Sequence, residues 1–126
     1  MTTITVRNLD RSDERRDFPH GHIDVLAVGG HRLDRAVFEP GWRWSESVKP
    51  IAGTDLCEFD HFGYVASGRM HLEMADGTGA DIGPGDVVAC PPGHDAWVLG
   101  DEPCVFVEMA EPVASDYARA PGTGQP

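Results

Sequence analysis

The chain has 126 residues, enough for one domain with a buried core and too few for two. Its net charge of −11 at pH 7 argues against nucleic acid and anionic membrane surfaces as partners and is read as ordinary solubility. Three cysteines exclude a disulfide framework, no run approaches the roughly 20 apolar residues of a membrane span, and 15 Gly with 10 Pro point to short strands and tight turns.

In chain order, Met1 to Arg7 lacks the charged start and apolar block of a signal peptide, so a cytoplasmic protein is expected. Residues 1–20, with the charged run Asp10 to Asp17, read as an N-terminal arm with one early strand candidate at Thr3–Val6. Strand candidates then follow at hairpin-like spacing: Ile23–Val28 up to Gly29-Gly30, Arg32–Glu39 up to Pro40-Gly41, and Trp42–Glu46. After a loop through Lys49–Gly53 come Leu56–Ala66, Met70–Met74, Ala80–Ile82, Val87–Cys90, Ala96–Leu99 and Cys104–Met109. No stretch carries a helical period over a helix-length window. The pattern predicts an all-β fold, a small β-barrel or double-sheet jelly roll, over residues 21–112, with a small, polar and disordered tail at 113–126.

Two stretches carry the chemistry. On an extended strand Asp55, Cys57, Phe59 and His61 share one face, with Glu58, Asp60 and Tyr64 opposite. A carboxylate, a thiol and an imidazole directed into one cavity are all metal-ligand types, and thiolate with imidazole favours zinc, iron or copper over magnesium or calcium. Fully extended, Cys57 and His61 would stand about 13 Å apart along the chain, which makes Cys57 as a nucleophile activated by His61 a minor reading. The second stretch runs Gly83-Pro84-Gly85-Asp86 to Cys90, then Pro91-Pro92-Gly93-His94.

Together the two stretches resemble the paired signature motifs of the cupin family. Gly85, Pro91 and Gly93 fit the second motif, whose histidine would fall at Ala96, with His94 two residues earlier. Gly68 fits the last glycine of the first motif; counting back, the glutamate position holds His61 and the two His-x-His positions hold Asp55 and Cys57. The resemblance covers about residues 37 to 109. It implies a double-stranded β-helix and a metal site in the barrel, with the family's three histidines and one glutamate rewritten as Asp55, Cys57, His61 and Ala96 and with His94 nearby.

We therefore expect Cys57, His61 and His94 to hold a divalent transition metal, zinc or iron, with Asp55 as a fourth ligand or a base. The competing readings are a core cysteine with hydrogen-bonded histidines, and Asp55 in a Gly53-Thr54-Asp55 turn. Phe59, Met70, Trp97 and Trp44 are expected to line a substrate pocket, Trp97 at its mouth. Trp42 and Trp44 read as one strand face opposite Arg43, for packing or substrate stacking. Cys90 and Cys104 read as small core residues, His20 and His22 as surface histidines ahead of the barrel, Lys49 as exposed, and His71 as facing away from the core. The resemblance implies an enzyme acting on a small molecule (an oxygenase, isomerase, lyase or cyclase) or, as the alternative, a non-catalytic small-molecule-binding barrel. A homodimer paired through sheet edges is also implied.

Overall fold

Alternating side chains and glycine-marked turns build nine antiparallel strands in a computed structural model that describes residues 3–110. A 3-10 turn at Leu9–Arg11 leads into β1 (Glu14–Phe18), β2 (Gly21–Val28) and β3 (His31–Phe38). Two single-turn helices, α1 (Trp44–Ser47) and α2 (Lys49–Ala52), separate these from β4 (His61–Ser67), β5 (Arg69–Met74), β6 (Gly79–Ile82), β7 (Val87–Cys90), β8 (His94–Leu99) and β9 (Cys104–Ala110). One sheet has six strands in the order β1-β2-β3-β9-β4-β7, and the other has three in the order β6-β5-β8. A single core drawn from both sheets lies between them. This is the all-β double-sheet barrel that the strand spacing predicts. Among the described residues no helix is long and apolar enough to cross a membrane.

The interior divides along the strands. In β3 the inward positions are Arg32, Asp34, Ala36 and Phe38, so one strand is charged at one end and apolar at the other. At the apolar end Phe18, Phe38 and Trp42 pack as tilted rings, Phe38 and Trp42 with centroids 4.2 Å apart. At the charged end Arg32 forks onto Asp34 with two 3.0 Å bonds, a geometry that holds both groups within the barrel. Arg16 reaches Glu14 at 3.0 Å on the neighbouring edge strand.

Three expectations change here. Residues 14–18 are not free arm: they form β1, paired in register with β2 from Glu14↔Val25 to Phe18↔Gly21, because Arg16 and Phe18 turn inward while Arg15 and Asp17 stay in solvent. Thr3–Val6 is not a strand. Trp42–Glu46 is not one either: Arg43 makes only an isolated bridge with Trp97, and the chain turns helical at Trp44. The predicted tail at 113–126 lies outside the described residues, as do positions 111 and 112 of the expected barrel domain. Gly68, the glycine that closes the first motif, has φ 78° and lies so close to Pro103 that a Cβ would stand 2.1 Å from its carbonyl oxygen. Only glycine meets both demands, which explains the hold of that position on the turn between β4 and β5.

Candidate metal centre

Cys57 is not on a continuous strand with His61. Residues 58–60 are irregular, and β4 begins only at His61. Cys57 instead bridges His94: its N–H donates to the His94 carbonyl at 2.8 Å, and its own carbonyl accepts from Gly93 and His94 at 2.7 and 3.3 Å. The chain between folds back, so Cys57 Sγ stands 3.4 Å from His61 Nε2 rather than an extended-strand length away. One ligand atom from each of Cys57, His61 and His94 falls within a group spanning at most 4.8 Å, and among the described residues no other such cluster occurs.

Each imidazole is oriented from behind. His94 Nδ1 meets the Pro91 carbonyl at 2.7 Å, so it carries the proton and donates it, leaving Nε2 for the cluster. His61 Nδ1 is hydrogen-bonded to Glu108 of β9, which leaves its Nε2 facing the thiol. The two rings sit edge-on with centroids 5.0 Å apart. Glu108 escapes sequence reasoning. Its signal was its register: Cys104, Phe106 and Glu108 share one face of a strand whose other inward residues are apolar, so a carboxylate was due to point inward. Gly63, its partner across β4, allows the approach; a Cβ there would lie 2.9 Å from Glu108 Cα and 2.1 Å from the Val107 oxygen.

The electrostatics follow from this packing. Burial pushes the Cys57 thiol up, but hydrogen bonds and charge from His61 and His94 outweigh it and bring its pKa down to about 7. Burial pulls His61 down, yet its bonds to Cys57 and Glu108 raise it to about 9. His94, opposed by burial and supported by Cys57, Cys90 and the Pro91 carbonyl, rises to about 10. Cys104, buried without such partners, goes the other way, to about 11. The site without metal is thus arranged to hold a thiolate beside protonated imidazoles, an arrangement in which each stabilises the charge of the other.

The donor set fits a transition metal. A tetrahedral zinc with bonds of about 2.0–2.3 Å sets its donors roughly 3.3–3.8 Å apart, and the Cys57–His61 separation of 3.4 Å already has that span. Metal-bound histidines commonly donate their second nitrogen to a carboxylate or a backbone carbonyl; here His61 has the first and His94 the second.

Beside the cluster lies a cavity of about 50 Å³. His61, His94 and Glu108 meet it, while most of the wall is apolar, including Trp42, Trp44, Met70 and Phe106. Cys57 is fully buried and is not part of that wall. Of the four residues assigned to a pocket from the sequence, Met70 and Trp44 line this cavity, and Phe59 and Trp97 do not. Phe59 packs half-buried against the core. Trp97 lies on the outer face of β8, alternating away from His94 and Ala96, with Arg43 over its ring at 4.2 Å and His71 4.6 Å away. Asp55 is also displaced: its side chain is 97% exposed and meets Lys49 at 3.3 Å, in the turn that ends α2, too far into solvent to serve as ligand or base. His20 occupies the β1–β2 turn with φ 64°, and His22 faces Asp24 at 3.7 Å, both away from the cluster.

This chain is similar in three dimensions to a polyketide cyclase, RemF, from Streptomyces resistomycificus, with TM-score 0.62 and 19% identity over 86% of this chain and 79% of the cyclase. It also superposes on a cupin-like protein from Thermotoga maritima, with TM-score 0.51 and 19% identity over 77% of each chain. The fold is that of the cupins. A Klebsiella pneumoniae protein with a double-stranded β-helix domain matches this cupin barrel as well, at TM-score 0.55 and 20% identity over 82% of this chain and 86% of the other. No protein-family model matches the sequence, and no curated protein does.

Proposed function

We propose that this cupin is a metal-dependent enzyme acting on a small molecule held in the barrel, with Cys57, His61 and His94 as the ligands. The observation that carries the reading is the pair of supported imidazoles. Both present Nε2 toward one thiol, and both have Nδ1 engaged by a group that fixes the tautomer. A bound divalent transition metal would supply Lewis-acid or redox chemistry. The chain's own groups supply the rest. Glu108 holds the His61 proton at Nδ1, the Pro91 carbonyl holds that of His94, and Cys57 brings negative charge from behind the wall. The apolar wall keeps bulk water away, and the open side of the cluster is the side of His61 and His94. A structural neighbour is a polyketide cyclase, so this fold carries an enzyme elsewhere; the reaction type is not fixed by the fold.

A second reading is a non-catalytic binding barrel. It draws support from Ala96, a buried methyl where the resemblance to cupins places a ligating histidine. Metal analysis by mass spectrometry on untagged protein separates the two. Near-stoichiometric metal in the wild type, lost in Cys57→Ala and His61→Ala, is expected. Absence of metal in the wild type after anaerobic reconstitution with iron, zinc, nickel and manganese overturns the enzyme reading in favour of the binding barrel.

A further inference from the structure

A second carboxylate stands behind the metal centre. Asp34 of β3 and Glu108 of β9 are directly opposite in register, on the barrel side of one sheet, and both are buried. Residues so placed in an antiparallel pair have Cβ atoms about 4.5–5.5 Å apart, and like charges there repel. Two buried carboxylates in that position need a countercharge, because an uncompensated charge inside the barrel is costly. The metal reading uses Glu108 and leaves Asp34 without a role.

Each carboxylate is drawn away from the other. Glu108 turns to His61 Nδ1 on β4, where Gly63 leaves it space. Asp34 turns to Arg32 on the same face of β3, which donates from Nε to Oδ1 and from Nη2 to Oδ2, each at 3.0 Å. The fork engages both oxygens of Asp34. Arg16, inward on β1, adds positive charge at the same end. Burial pushes the Asp34 carboxyl up, the Arg32 fork opposes it, and the Glu108 charge adds to the rise. The carboxyl stays above its usual range even with the fork in place, so losing the fork favours its protonated form. A protonated Asp34 is a hydrogen-bond donor, and the acceptor opposite it is Glu108.

We propose that Arg32 and Asp34 are positioning residues for the metal centre: the fork keeps Asp34 an acceptor turned to Arg32, so that Glu108 stays turned to His61 and holds its Nε2 toward Cys57. The series His61, Glu108, Asp34, Arg32 runs from β4 through β9 to β3. Neither Arg32 nor Asp34 lines the cavity, so both act on the centre through Glu108 alone. The inference deepens the reading of His61 as a metal ligand and rests on it.

The test follows the His61 Nδ1–H proton of the full-length protein by 1H–15N NMR, with and without added metal, assigned by its absence from His61→Ala. Metal affinity is measured beside it by competition with a chelator. Arg32→Gln removes the countercharge, and the isosteric Asp34→Asn sets an amide donor opposite Glu108. Each is expected to move the Nδ1–H resonance upfield as its hydrogen bond weakens, and to lower metal affinity about tenfold. The paired variant Arg32→Met with Asp34→Leu removes fork and competitor together. It should restore the resonance and bring affinity within about twofold of wild type. Should Arg32→Gln not fold, Asp34→Asn and the paired variant, neither of which leaves a lone carboxylate at position 34, still decide the matter. An unchanged resonance and affinity in the folded single variants overturn the proposal. So does a paired variant that loses both as far as the singles do, because the two residues then serve the fold alone. A resonance that moves in a protein without affinity for metal removes the metal reading alone, and firm metal binding with a resonance that no variant moves removes this inference alone.

Discussion

His61 and His94 do the same work from opposite kinds of support. His61 stands on β4 and is held by a side chain, Glu108, that arrives from β9 across a sheet. His94 opens β8 and is held by the backbone of Pro91, three residues earlier in the same turn. The first support is long-range and can be removed by one substitution. The second is local and survives any side-chain change that leaves the turn in place. A site with one support of each kind can be tuned on one side while the other stays constant.

The comparison breaks most severely at Gly63. An alanine there places a Cβ 2.1 Å from the Val107 oxygen, against backbone that cannot yield. Gly63→Ala should cost about 3 kcal/mol of stability by overpacking, read by denaturant unfolding, and should lower metal content by displacing β9. Next comes Glu108→Gln, which keeps shape but loses the carboxylate behind His61; metal affinity should fall roughly 10- to 100-fold, measured by competition with a chelator. Unchanged affinity would mean that Glu108 is a bystander. A pH series tests both supports at once. His61 and His94, raised to about 9 and 10, are protonated near neutrality and must release protons to bind metal, while Cys57 at about 7 is already largely thiolate above that pH. Affinity should therefore rise with pH, by about tenfold or more between pH 7 and 8, and a flat profile rejects these imidazoles as ligands. The smallest effect belongs to Pro91→Ala. The carbonyl that holds His94 is backbone and remains, so affinity should stay within about twofold; a loss as large as that of Glu108→Gln would erase the distinction between the two supports.

The same contrast explains what was readable in the chain. The turn support was legible, because Pro91-Pro92-Gly93-His94 is a contiguous segment whose residue types fix a turn and place a histidine just after it. The cluster of Cys57, His61 and His94 was legible as residue types near two turns. Its geometry was not, since strand spacing separated Cys57 from His61 and only the pairing of Cys57 with His94 brings the chain back. Glu108 lay 47 positions from His61, and nothing short of the β4–β9 register joins them. Asp55 was drawn in by alternation along a strand that does not exist at that point, and Trp97 by nearness to His94 without allowance for its outward face. β1 was hidden by charge: a strand whose buried positions include Arg16 has no apolar alternation to reveal it.

The backbone bridge between Cys57 and His94 ties two members of the cluster by amides as well as by side chains. It acts as a clasp. A reagent that alkylates the Cys57 sulfur cannot simply swing the thiol out, because the segment would first have to surrender those three hydrogen bonds. Modification should therefore proceed at the rate at which the clasp opens and not at the rate of the reagent, and the deuterium uptake of the Cys57 and Gly93 amides would clock the same opening.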